Sequence, residues 1–224
     1  MFEVPRGRVV VFSDIGCPWA HVAVFRLHRA RSLLGLENAI AFEHRSFPLE
    51  LFNERPTPRQ TLDAEIPVAG ALEPDAGWQM WRRPDYHYPV TMLPALEAIH
   101  AARAQSDAAA EQLDRALRVA FFGASEIVSM RHVILSVAAS CDAVDVDELG
   151  AALDDGRCRR SLMDDYETAE SSDVKESPHV FVAGADAHNP GVEMHWEGEH
   201  GKGFPVVDKD NPSIYEELIQ RAGE

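Results

Sequence analysis

Lysine is nearly missing from this chain. Of 21 basic residues in 224, only Lys175, Lys202 and Lys209 are lysines, and 37 acidic residues leave a formal net charge of −16. A field of that sign repels phosphate backbones and anionic bilayers, so neither nucleic acid nor a membrane surface is expected as a partner. Long apolar runs are missing too. The longest near the start is Val9-Val10-Val11-Phe12, far short of a membrane span. The opening Met1-Phe2-Glu3-Val4-Pro5-Arg6 lacks the basic start and the apolar stretch of roughly 7–15 residues that mark a secretory signal. Cysteine is scarce: Cys17, Cys141 and Cys158 are the full set of 3, with no C-x-x-C and no zinc-ligand spacing. No metal site is expected, and the expected compartment is the reducing cytoplasm, with the thiols free.

What is present suffices for a real core. Hydrophobic residues make up 46% of the chain and charged ones 26%, and a chain of this length buries about 70% of its unfolded surface. One domain carrying a large insertion competes with two small domains. Val9–Phe12 reads as a buried strand, followed by the turn-prone Ser13-Asp14-Ile15-Gly16. Cys17-Pro18 opens a helix, since a proline at the first helical position gives up an N–H that has no partner there. Apolar spacing carries this helix to about Leu34, and Gly35 ends it. Ala39–His44 reads as a second strand, which makes the opening strand–helix–strand.

Prolines at 56, 58, 67, 74, 84, 89 and 94 are expected to prevent any long regular element between Leu49 and Pro94. From about 92 to 172 the pattern is nearly all helical; Met130, Val133, Ile134, Val137, Ala138 and Cys141 follow helical spacing most closely. Strand chemistry then returns at His179–Val182. Ala183–Asp186 reads as a turn and Val192–Trp196 as the next strand, after Asn189-Pro190-Gly191. A last helix is capped by Ser213, with Glu216 completing a capping box. Residues 1–90 and 176–224 are expected to share one sheet.

The informative cluster is Asp14-Ile15-Gly16-Cys17-Pro18-Trp19-Ala20. A cysteine between a strand end and a helix start sits where free N–H groups and the helix dipole stabilise a thiolate. Cys17 is therefore expected to be partly ionised near neutral pH, with burial around Trp19 opposing. The bland alternative is a small buried apolar group.

In these residues, and in Ser177-Pro178-His179-Val180-Phe181-Val182 placed after a helical stretch, the chain resembles the DsbA-like branch of the thioredoxin superfamily. The likeness extends to its cytosolic members and to the related 2-hydroxychromene-2-carboxylate isomerases and kappa-class glutathione transferases. The resemblance implies an α/β, thioredoxin-like fold interrupted by an α-helical insertion, with 1–91 and 173–224 as one discontinuous domain and 92–172 inserted. It also implies a cis Ser177–Pro178 bond facing Cys17, and catalytic roles for Cys17, Pro18 and Trp19. Ser177 and Pro178 would then bind a thiol substrate, and His21, on the first turn after Cys17, is expected to join them from its position. The expected partner is a small-molecule or peptide thiol or disulfide. No tightly bound cofactor is expected, with glutathione or another low-molecular-weight thiol as co-reactant.

One departure matters. Where disulfide-exchanging members carry a second cysteine, this chain has Ala20, so a mixed disulfide at Cys17 has no resolving thiol three residues on. Cys141 reads as core. Cys158, between Arg157 and Arg159, reads as exposed. His21 reaches either the thiolate or the solvent-facing side of its helix. His195 beside Trp196 and His179 after Pro178 read as sheet or cleft-lining residues. Trp78, Trp81, Tyr86 and Tyr88 either wall a groove over Cys17 or pack an irregular lid. Three functions follow: a single-cysteine thiol oxidoreductase, a glutathione-dependent isomerase or transferase, or a non-catalytic binding or chaperone-like module.

Overall fold

The computed structural model describes residues 3–171 and 174–224, so the expected boundary at 172/173 lies outside the described residues. The Val-Val-Val-Phe run sits in β1 (Arg8–Ser13). β1 pairs in parallel with β2 (Ala41–Ser46), Val9 opposite Phe42. It pairs antiparallel with β3 (His179–Val182), Val11 opposite Val180. β4 (Ala185–His188) adds to β3, giving the order β2-β1-β3-β4. Successive β1 side chains point to opposite faces, and both faces are covered. Val9 and Val11 pack against Ala23, Val24 and Leu27 of α1 (Pro18–Leu33) and against Leu218 and Ile219 near the C-terminus. Val10 and Phe12 meet Phe47, Ala169 and Phe181 on the other side. A strand buried on both faces reads as a continuous apolar run, which is why this one was legible.

After β2 come the short α2 (Leu49–Phe52) and α3 (Arg59–Leu72). The latter corrects the expectation that prolines exclude a long element here. Pro67 lies inside α3 and removes one helical hydrogen bond, at a cost of roughly 3 kcal/mol. Burial offsets that cost: Leu62 and Ile66 enter the largest core cluster, and Ala69 packs in the cluster that holds Cys17 and Trp19.

Between residues 93 and 171 the elements are all helices: α4 (Leu93–Gln105), α5 (Asp107–Ala124), α6 (Arg131–Ala138), α7 (Val146–Asp155) and α8 (Arg159–Ser171). Leu113, Leu117, Ile134 and Leu149 form the centre of their core at 0–1% exposure, each worth about 1.5–3 kcal/mol by burial. α5 and α8 lie against β2.

The expected single sheet is replaced by two. β5 (Val192–Glu197) pairs with β6 (Phe204–Asp210) in a separate antiparallel ribbon. The partner of β3 is β4, which fills part of the expected turn. The chain leaves the main sheet at Gly191, whose φ is +74°, and a Cβ there would overlap the Asn211 carbonyl. Gly191 O in turn accepts from Asn211 N at 2.7 Å, pinning the ribbon's base. β2 starts at Ala41, two residues later than expected, because Ala39 and Ile40 still bond back to Leu36 O. The last helix, α9 (Ile214–Gly223), forms without its capping box. Ser213 already has helical dihedrals (φ −66°, ψ −22°), and its hydroxyl donates to Asn211 Oδ1 at 2.8 Å.

Candidate active site

β1 ends at Ser13, and the turn after it is held by a buried carboxylate. Asp14 Oδ1 accepts from Gly16 N at 2.7 Å and Oδ2 from Leu49 N at 2.9 Å. Burial pushes this carboxyl up to about 6, and the two N–H donors restrain the rise. Behind it lies Arg118 of α5, 0% exposed. Arg118 pairs with Asp114 at 2.8 Å and donates to Asp14 O at 2.9 Å and to Ser13 Oγ at 2.8 Å. The turn that presents Cys17 is thus tied to the helical segment by a charge-assisted network.

Cys17 is the N-cap of α1, with extended backbone (φ −86°, ψ 116°) and Pro18 as the first helical residue. Its Sγ accepts from Ala20 N at 3.4 Å and lies 3.2 Å from Ser177 O, to which the thiol hydrogen is donated. Ser177–Pro178 is cis, as expected, and Asp14 N donates to Ser177 Oγ at 2.9 Å. The structure therefore joins Cys17, Ser177 and Pro178.

The expected partial ionisation of Cys17 is corrected. The residue is 4% exposed, and burial, with the nearby carboxyls of Glu65 and Asp14 adding to it, pushes the thiol up to about 12. A helix-end dipole acts through partial charges, and here the loss of water outweighs it.

Trp19 covers one side. Its Nε1 donates to Glu65 Oε1 of α3 at 2.9 Å, and burial pushes Glu65 up to about 7 against this restraining bond. Trp19, Glu65 and Ser177 line a cleft of about 800 Å³ whose far wall is the β5–β6 ribbon with Val192, Met194 and Trp196. Cys17 is not itself a lining residue; its Sγ lies 3.2 Å from the carbonyl oxygen of Ser177, which is.

His21 is not brought to the sulfur. It is 4% exposed, its ring is stacked on Phe122 at 4.9 Å, and Nε2 sits 3.0 Å from Ala76 O. Burial lowers it to about 4; it is neutral packing beside the helical segment and does not line the cleft. Nor do the aromatics of the proline-rich stretch wall the cleft. Trp78 packs on His21, Trp81 on Tyr88 and Phe121, and Tyr86 is exposed.

His179 Nδ1 accepts from Lys175 N at 3.1 Å, so Nε2 carries the hydrogen shared with Asp186 at 2.9 Å. His195 is an exposed strand residue bonded to Asp208 at 2.8 Å. Cys158, expected at the surface, is buried, and burial raises its pKa; Cys141 is buried as expected, and all three thiols are free. Among the described residues no group of three or more His, Cys, Asp or Glu could hold a metal ion, and no helix is long and apolar enough to cross a membrane.

Glu65 and Arg118 escaped the sequence reading. A buried acid and a buried guanidinium look, in sequence, like any of the many surface charges. The one available signal was Glu65 lying between Leu62, Ile66 and Ala69 at helical spacing.

Comparison with known proteins matches residues 8–199 to the DSBA-like thioredoxin domain family model. No curated protein matches. Among solved structures, the cytosolic disulfide reductase DsbM from Pseudomonas aeruginosa with GSH superposes with a TM-score of 0.60 at 13% identity, over 77% of this chain and 84% of that one. A probable DsbA oxidoreductase from Streptomyces coelicolor gives 0.59 at 18% identity, over 96% and 89%. Reduced DsbA1 from Neisseria meningitidis gives 0.51 at 10% identity, over 99% and 85%.

Proposed function

This chain belongs to the DSBA-like thioredoxin domain family, and from that premise we propose that it is a single-cysteine thiol–disulfide exchange enzyme working with a low-molecular-weight thiol. The observation that carries this reading is the sulfur's position: Cys17 caps a helix, 3.2 Å from the carbonyl that precedes cis-Pro178, beside a cleft. The thiolate of Cys17 attacks one sulfur of a bound disulfide R–S–S–R. The Cys17–S–S–R bond forms, the old S–S bond breaks, and the departing thiolate takes up the proton that Cys17 lost. Ala20 supplies no internal thiol, so a second small thiol attacks the mixed disulfide. It leaves as the new disulfide and returns Cys17 to the thiol; that second thiol is the reductant. Glutathione and other low-molecular-weight thiols can each perform this chemistry, and the cleft lining decides among them. The free state of all three cysteines fits a reducing cytoplasm.

A second reading is favoured by one observation, the high pKa of Cys17. A thiol that keeps its proton can donate a hydrogen bond and orient a bound thiol substrate without exchanging, as in a glutathione-dependent isomerase or transferase.

The test is incubation with the neutral bis(2-hydroxyethyl) disulfide, followed by mass mapping. Exchange predicts one stable adduct on Cys17 that a reductant reverses and that Cys17→Ser abolishes. Labelling on Cys158 alone, or none, refutes exchange and leaves the isomerase-type reading or a binding role.

A further inference from the structure

The cleft above Cys17 has a charge pattern that disulfide exchange by itself does not require. Glu65, Glu176 and Glu193 line it, Glu65 being held by Trp19 and pushed up to about 7. Against them stand one ammonium, Lys209, which Glu193 holds at 2.9 Å, and two imidazoles, His188 at 3.9 Å from Glu176 Oε1 and His200. Among the described residues no arginine lines it, although arginine dominates the basic residues of the chain. Glu176 directly precedes Ser177, whose carbonyl accepts from the Cys17 thiol, and its side chain is 46% exposed in the cleft lining. Trp196 of β5 also lines the cleft, its ring packed on His200 at 5.0 Å between centroids.

A carboxylate arm entering this space meets like charge, with no guanidinium to receive it in the bidentate manner carboxylates favour. An ammonium arm meets carboxylates that outnumber the single ammonium of Lys209, together with the aromatic ring of Trp196, groups that stabilise a cation. The net charge of −16 acts in the same direction on the approach.

We propose that the low-molecular-weight disulfide or thiol taken by this cleft carries a positively charged arm, and that carboxylate-bearing thiols of the glutathione kind are poor partners. The inference rests on the exchange reading for Cys17. Glu176 and Glu193 act as specificity residues; they set which arm is tolerated beside the reacting sulfur.

The experiment compares cystamine, with two ammonium groups, bis(2-hydroxyethyl) disulfide, which is neutral, and oxidised glutathione, which is anionic. Rates of adduct formation on Cys17 are read by intact mass spectrometry at neutral pH. Each is divided by the rate of the same disulfide with free 2-mercaptoethanol, which removes its intrinsic reactivity. The expected normalised ratio of cystamine to oxidised glutathione is about tenfold or more, the scale of charge steering in lined clefts. It should fall at high salt, and by about threefold or more in Glu176→Gln/Glu193→Gln. Equal or reversed rates, or a ratio unmoved by the two substitutions, overturn the charge assignment while any adduct leaves the exchange reading standing. No adduct with any probe removes both.

Discussion

Replacing Glu65 with glutamine should change the pH dependence of folding in a way that isolates this one buried carboxyl. Native Glu65 keeps its proton up to about 7, against an ordinary value of 4.5, chiefly because burial disfavours the charged form. The native state therefore binds this proton more tightly than the unfolded chain does. The stability it confers is fully present below pH 4.5, is lost as pH rises to 7, and changes no further above that. At about 1.4 kcal/mol per pH unit the loss amounts to about 3 kcal/mol. Glutamine keeps an oxygen for Trp19 Nε1 but has nothing to ionise. The bond from Trp19 to the ionised carboxylate is already contained in the rise to about 7, so it adds no separate offset. Urea unfolding of both proteins between about pH 4 and 8.5, extrapolated linearly, gives the difference curve. Wild type should lose about 3 kcal/mol relative to Glu65→Gln across that range. Asp14, raised to about 6, imposes the same sign on both proteins and cancels. A flat difference, or one in which wild type gains with rising pH, would refute the claim that Glu65 is held in a desolvated pocket.

Alkylation of Cys17 by iodoacetamide should climb about tenfold per pH unit from neutral to about pH 10 without levelling, since the thiol is pushed up to about 12. A plateau below pH 9, with the fold intact by circular dichroism, would contradict this. Ala20→Cys places a sulfur at a position that is 0% exposed, so the reduced variant should be destabilised by about 1–3 kcal/mol through overpacking. Oxidation should then join Cys17 to the introduced thiol by an internal disulfide in place of the persistent mixed disulfide, read as loss of two thiol hydrogens; a mixed adduct that survives in the variant would count against the exchange geometry.

Local pattern decided what could be read in advance. β1 announces itself as an unbroken apolar run because both its faces are covered, and α1 and the helices after Leu93 do so by apolar residues at helical spacing. α3 was hidden because Pro67 argues against a helix locally, and only the packing of Leu62, Ile66 and Ala69 outweighs it. β4 is the four-residue Ala-Asp-Ala-His, with little β propensity, and in β6 the strand formers Phe204, Val206 and Val207 are interrupted by Pro205 and followed by three charges; both are completed by a neighbouring strand that pairs with them. The cysteine and the cis-proline loop were legible as motifs. The ionisation of Cys17 was not: it depends on how much water α3 and the ribbon exclude from the sulfur, and no local pattern encodes that. The pocket of His21 likewise comes from Ala76 and Phe122, far away in the chain.

Arg118 limits how this architecture can be recombined. A chimera that kept residues of the strand–turn–helix unit but took its helices from a distant relative would have to carry Asp114 and Arg118 with them. Without them the carbonyl of Asp14 and the hydroxyl of Ser13 lose their buried donors. Losing Arg118 alone would leave buried Asp114 with only the His44 imidazole at 3.6 Å, and breaking a buried ion pair in this way costs about 3–5 kcal/mol. Such a transplant would distort the turn before Cys17 even though every residue of that turn was unchanged. The helices are therefore not interchangeable cargo, and sequence drift within α5 is coupled to the reactivity of a thiol on another element.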